Sequence, residues 1–142
     1  SWLAEQSKLT INFARAGEPF QRGTITFPAP GCNLHVGLSG LAALTPLDAD
    51  SMGASVDVTM MSAAQYWGAG TVGVLLTGMG SDGAQGMLTI SRAGGVTIAQ
   101  NAETSVIFGM PERAIALGAA QSVLPLGEIA PALIRLTASA YG

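Results

Sequence analysis

The chain has 142 residues, a formal net charge of -3, and 11% charged against 49% hydrophobic residues, which suits one compact domain that buries much of itself. Six Lys+Arg scattered along it cannot neutralise a run of phosphates, which argues against nucleic acid as a partner. The apolar runs are interrupted by Gly, Pro or polar residues and fall short of the roughly 20 residues that span a bilayer, so no membrane segment is expected.

The chain opens Ser1-Trp2-Leu3, with neither an initiator Met nor a signal-peptide pattern, and is expected to be a piece of a longer product. From Lys8 to Phe13 and from Gly23 to Phe27, β-branched and aromatic residues alternate with polar ones, predicting two strands separated by Gly17-Glu18-Pro19. Pro28-Ala29-Pro30-Gly31 ends the second run. Leu34 to Leu38 forms another short strand, and Thr45 to Gly53, polar and carrying Pro46, reads as a surface loop. The single cysteine, Cys32, excludes an internal disulfide and fits a reducing, cytoplasmic setting.

Val56, Met60, Ala63, Ala64 and Trp67 follow helical spacing behind Ser55 as N-cap, with Asp57 in the first turn. Val72 to Thr77 is continuously apolar, as in a strand covered on both faces. A helix from Asp82 to Ala93 breaks at Gly94-Gly95 before a strand over Val96 to Gln100. Pro111 opens a short helix through Leu117, which Gly118 caps; Ser122 to Leu124 is a strand, and a last helix runs from about Glu128 to Ser139. Strands alternating with helices over the second half predict a parallel α/β sheet, with the β-rich first half as an antiparallel extension.

The chemistry is expected at the turn Gly78-Met79-Gly80-Ser81-Asp82-Gly83, where a strand breaks into three glycines and one carboxylate. Its spacing satisfies the dinucleotide fingerprint, with Glu103 as a ribose-binding acid. Against that reading, Asp82 would face the pyrophosphate and Glu103 lies several residues beyond its strand. A lysine-bearing phosphate loop fails, because Lys8 is the only lysine; one Cys and one His give no zinc cluster, so neither cofactor nor metal is expected. His35 reads as a loop or strand-end residue bonded to backbone. On residue type, Asp82 is either a helix cap or the acid that orients a histidine in a hydrolytic triad, and its partners must decide.

Thr77-Gly78-Met79-Gly80-Ser81-Asp82-Gly83-Ala84, Gly94-Gly95, Thr97-Ile98-Ala99-Gln100 and Phe108-Gly109-Met110-Pro111 together resemble the catalytic domain of the CheB family, the bacterial chemotaxis protein-glutamate methylesterases. The likeness extends back through Ser55-Val56-Asp57-Val58 and Ala29-Pro30-Gly31 with His35, and forward through Ala119 to Leu126. It implies a doubly wound, mostly parallel α/β domain with helices on both faces. It also implies hydrolysis of glutamyl methyl esters and deamidation of glutamines on the cytoplasmic helices of chemoreceptors, without a cofactor. Asp82 matches the triad aspartate of that family, and Met79 the methionine beside the catalytic serine that helps form the oxyanion site.

The nucleophile turn of that family, Gly-Ala-Ser-Thr-Gly-Gly-like, and its Gln-His-like motif are not in these residues, and Ser1 to Asn12 resemble the segment after that histidine. Ser39 and Ser81 lie in glycine-flanked turns with no histidine motif beside them. The resemblance therefore implies residues 1–142 of a methylesterase-like domain without its N-terminal strands, carrying one member of the triad and inactive by itself. The sheet left open would be covered by another chain or an oligomer. A degenerate receptor-binding module and a dinucleotide-binding domain are the alternatives. The Ser51-Met52-Gly53-Ala54 segment stands where the family carries basic and proline residues, and the N-terminal receiver domain usual in the family is not matched.

Overall fold

A computed structural model describes residues 8–141; the opening Ser1-Trp2-Leu3 and the rest of residues 1–7 lie outside the described residues. Among the described residues, seven strands and four α-helices follow in chain order. They are β1 (Thr10–Phe13), β2 (Thr24–Phe27), β3 (Cys32–Val36), β4 (Ala42–Pro46), α1 (Val56–Trp67), β5 (Val72–Leu75), α2 (Ala84–Arg92), β6 (Val96–Gln100), α3 (Met110–Ala116), β7 (Ser122–Leu124) and α4 (Leu126–Tyr141).

The second half is the parallel α/β unit expected from the alternation of elements. β5, β6 and β7 form a three-stranded parallel sheet with β6 in the middle. One face carries a core of Leu75, Ala84, Met87, Ala114 and Ala119, to which α1 adds Val56 and Met60. On the other face Ile98 meets Ile129 and Ala132 of α4, so helices cover both sides and the winding is double. Close approach of α2 to β5 needs Gly73, where a Cβ would stand 2.7 Å from Ile90 Cδ1. Thr97, fully buried, donates its hydroxyl to Ala119 O at 2.6 Å and accepts from Gln121 N at 3.0 Å, which ties β6 to the segment entering β7.

In the first half the expected antiparallel extension is present as the β3–β4 hairpin, and β1 and β2 depart from it. β1 and β2 pair in parallel, Thr10 opposite Thr24 and Phe13 opposite Phe27, although residues 14–23 connect them without a helix. Only β3 and β4 form an antiparallel hairpin, from Cys32 opposite Pro46 to Val36 opposite Ala42. Thr45 and Pro46, expected in the surface loop, end β4 instead; Pro46 fits because β4 is an edge strand. Ala14, Leu34 and Ala42 make a small core beneath this hairpin.

Hydrogen bonds from α1 and its N-cap Ser55 close the free edge of β3. Val36 N donates to Ser62 Oγ at 2.8 Å, Thr59 Oγ1 donates to Leu34 O at 2.7 Å, and Ser55 N donates to Asn33 Oδ1 at 2.8 Å. An edge strand is thereby covered by a helix, which fixes where α1 begins relative to the hairpin.

Candidate active site

The glycine-dense turn lies past the carboxyl end of β5, as expected, and two other segments hold it. Gln100, the last residue of β6 and 1% exposed, accepts from Thr77 N at 2.8 Å and donates to Thr104 O at 2.8 Å. The Thr77 hydroxyl donates to Ile107 O at 3.0 Å and accepts from Ile107 N at 2.9 Å. Gly78 N donates to Ile107 O at 2.9 Å, while Gly109 N and Met110 N both donate to Gly78 O, at 3.0 and 2.8 Å. Thus the three motif segments around Gly78, Gln100 and Gly109, separated in sequence, form one backbone-bonded unit. Gly109 is required by contact: a Cβ there would stand 2.9 Å from Gly78 O, 3.0 Å from Gly80 N and 3.2 Å from Met79 Cα. Met79 at the tip is 77% exposed.

Asp82 is half-buried and does not begin α2, which starts at Ala84 with Gly83 (φ 97°) as N-cap. Its carboxylate reaches instead to the head of α1. Oδ2 accepts from Val56 N at 2.8 Å; Oδ1 accepts from Asp57 N at 3.0 Å and from the Ser55 hydroxyl at 3.2 Å. An anion is well placed there, where unpaired N–H groups and the helix dipole converge. Ser55 keeps its expected capping role as well, accepting from Val58 N at 3.3 Å. In the opposite direction, Asp57 Oδ1 accepts from Gly83 N at 3.0 Å and Gly86 N at 2.7 Å. Each acid therefore serves the first turn of the other's helix.

The remaining candidates are elsewhere. His35 lies within β3, not in a loop, and its Nε2 shares a hydrogen bond with Thr45 Oγ1 at 2.8 Å instead of reaching backbone. Ser39 and Ser81 are exposed in turns. Among the described residues no three His, Cys, Asp or Glu gather to hold a metal ion, and no helix is long and apolar enough to cross a membrane. For the dinucleotide reading, two of the N–H groups at the head of α2 that a pyrophosphate would need, those of Gly83 and Gly86, are already bonded to Asp57. Beside the turn, Gly80, Ser81, Gly109, Glu112, Arg113 and Ala116 line an open hollow of about 320 Å³.

The turn is legible in the sequence, whereas Ser55 and Asp57 stand out there only as features of their own helix. Their bonds to residues 82, 83 and 86 are tertiary, and spacing along one helix carries no signal for them.

A doubly wound α/β sheet with a helix-anchored carboxylate at its strand ends is an architecture of hydrolytic and cofactor-binding domains alike. Residues 1–133 match the family model described as CheB methylesterase, and the chain belongs to the CheB methylesterase family. It is 43% identical over 138 residues to protein-glutamate methylesterase/protein-glutamine glutaminase 1 of Pseudomonas fluorescens (strain Pf0-1), covering 95% of this chain and 40% of that protein. With protein-glutamate methylesterase/protein-glutamine glutaminase 2 of Anaeromyxobacter dehalogenans (strain 2CP-C) the identity is 44% over 137 residues, covering 96% and 40%. The chain thus spans about 40% of the length of these curated relatives. The crystal structure of the Thermotoga maritima CheB methylesterase catalytic domain superposes with a TM-score of 0.87 at 34% identity, covering 95% of this chain and 74% of that one.

Proposed function

We propose that these residues form part of a protein-glutamate methylesterase of bacterial chemotaxis, with Asp82 as the acid that orients the triad histidine and Met79 lining the oxyanion site. The observation that carries this reading is the Asp82 carboxylate itself: it is half-buried at the strand ends and held by Val56 N, Asp57 N and the Ser55 hydroxyl. A carboxylate offers about four lone-pair directions, and these donors take three, so one remains for an imidazole N–H. Three donors also fix the direction in which that lone pair points, which is the service a triad acid performs. The exposed Met79 at the tip of a backbone-locked turn is available to a second catalytic segment.

In the complete reaction a serine Oγ attacks the side-chain ester carbonyl as the histidine takes its proton. The oxyanion site holds the developing charge, methanol leaves with that proton, and water then releases the glutamate from the serine. Serine and histidine are supplied by residues other than these 142. In support, the single histidine, His35, is engaged with Thr45, and the hydroxyl bonded to Asp82 belongs to the helix cap Ser55. The substrates are methylated glutamates, and glutamines, on cytoplasmic chemoreceptor helices. A receiver domain belongs to the full-length protein, and the partly exposed apolar residues Phe13, Ile25 and Phe27 of the β1–β2 pair are covered there or in an oligomer.

Since a triad acts as a unit, the 142-residue polypeptide alone has no methylesterase activity. Incubation with methylated receptor is expected to release no more methanol than an Asp82→Ala control; release well above that control overturns the assignment of serine and histidine to other residues. The coding sequence upstream is expected to hold a Gly-x-Ser-x-Gly-Gly-type turn followed by a Gln-His motif. A natural reading frame without either defeats the catalytic reading and leaves a receptor-binding module.

A further inference from the structure

We infer that Asp57 is a positioning residue for Asp82: by capping α2, it leaves the Asp82 carboxylate free to face α1 and the site. This rests on the reading of Asp82 as the histidine-orienting acid. An aspartate capping a helix ordinarily accepts from the N–H of the second or third residue of that helix. At α2 the third-residue donor is Gly86 N, and Asp57 Oδ1 holds it at 2.7 Å, together with the N-cap donor Gly83 N at 3.0 Å. Two of the donors at the head of its own helix are thus already taken from Asp82. Its carboxylate swings to the neighbouring helix, where Val56 N, Asp57 N and Ser55 Oγ receive it.

Two carboxylates this close repel each other, and the arrangement persists because each meets the positive end of a helix. The backbone approaches closely enough for the exchange only because Gly86 has no side chain; a Cβ there would stand 3.2 Å from Asp57 Cα. Removing the Asp57 side chain frees Gly83 N and Gly86 N, and Asp82 becomes the nearest acceptor. The acid then caps its own helix and turns away from the site. Asparagine at position 57 retains an amide oxygen that accepts both N–H groups, so the charge of Asp57 is dispensable and its acceptor geometry is not.

NMR on the 142-residue chain tests this without requiring catalysis. In Asp57→Ala the Asp82 carboxyl carbon resonance is expected to move. Exchange of the Val56 amide accelerates about tenfold, while the Gly86 amide keeps its protection because Asp82 has replaced Asp57 on it. Asp57→Asn is expected to retain the wild-type Asp82 resonance. Asp57→Ser, whose short hydroxyl cannot hold both glycines and which suits a first helical turn, supplies a second variant and is expected to move the resonance in the Ala direction. An unmoved Asp82 resonance in Asp57→Ala or Asp57→Ser overturns the proposal, as does an Asp57→Asn that behaves like Ala. Failure here leaves the triad reading intact, and a methanol assay that defeats the triad reading leaves the capping exchange measurable.

Discussion

Gly86→Ala sets two effects of opposite sign against each other. In a helix interior, replacing Gly by Ala is worth about 1 kcal/mol in favour of folding. At position 86, however, the new Cβ would stand 2.6 Å from Met60 Cβ and 3.2 Å from Asp57 Cα, atoms close to or within the α1 backbone that no rotamer change can withdraw. Helix α1 must move away from α2. Overpacking of this kind costs about 1–3 kcal/mol, and the separation also stretches the 2.7 Å bond from Gly86 N to the Asp57 carboxylate, a charge-assisted bond worth about 1.5–3 kcal/mol. Stretched but not broken, that bond forfeits about 1 kcal/mol, which offsets the propensity gain, and the steric term leaves a net loss of about 1–3 kcal/mol. With a urea m-value of about 2 kcal/mol/M, the midpoint falls by about 0.5–1.5 M. Gly127→Ala in α4 is the control: nothing lies within 4 Å of its Cβ position, and neither glycine has a left-handed φ. It is expected to raise the midpoint or leave it level. A Gly86→Ala midpoint equal to or above wild type refutes the claim that α1 and α2 meet backbone to backbone at this residue.

Two further substitutions probe how the turn is held. Gln100→Leu leaves Thr77 N without its acceptor and should cost about 1–3 kcal/mol in urea unfolding, with the Thr77 amide losing protection in hydrogen exchange; unchanged protection at Thr77 refutes the role given to Gln100. Gly109→Ala drives a Cβ into backbone atoms of residues 78–80 and should shift the Met79 methyl resonance and expose the Gly109 and Met110 amides to exchange, at a cost of about 1–3 kcal/mol. A spectrum unaltered around Met79 shows instead that the turn is set by its own glycines.

The helices and strands of the second half were legible because each has a local cause. Ser55 caps α1, Gly94-Gly95 interrupts the chain between α2 and β6, and Pro111 stands at the start of α3, so periodicity and punctuation agree. β6 and β7 have the predicted bounds. The pairing of β1 with β2 was not legible, because the alternation of apolar and polar residues is the same for a parallel and an antiparallel partner; only long-range register distinguishes them. The start of α2 was misplaced by two residues for a related reason. Asp82 has the local signature of a cap, and the residue that overrides it, Asp57, is supplied by a different helix.

What sets the turn apart is therefore not its glycine spacing, which a phosphate-binding loop shares, but where its donors and acceptors are spent. In a phosphate loop the helix N–H groups stay open for the ligand. Here Gly83 N and Gly86 N are closed by Asp57, Gly78 is bonded through both its N–H and its carbonyl to the segment at 107–110, and Thr77 is bonded on backbone and hydroxyl. The Asp82 carboxylate keeps one acceptor direction beyond its three donors, and the Met79 side chain stands exposed. On the role proposed for Asp82, an acceptor left open beside two occupied helix donors suits a proton-bearing group such as an imidazole better than an anion.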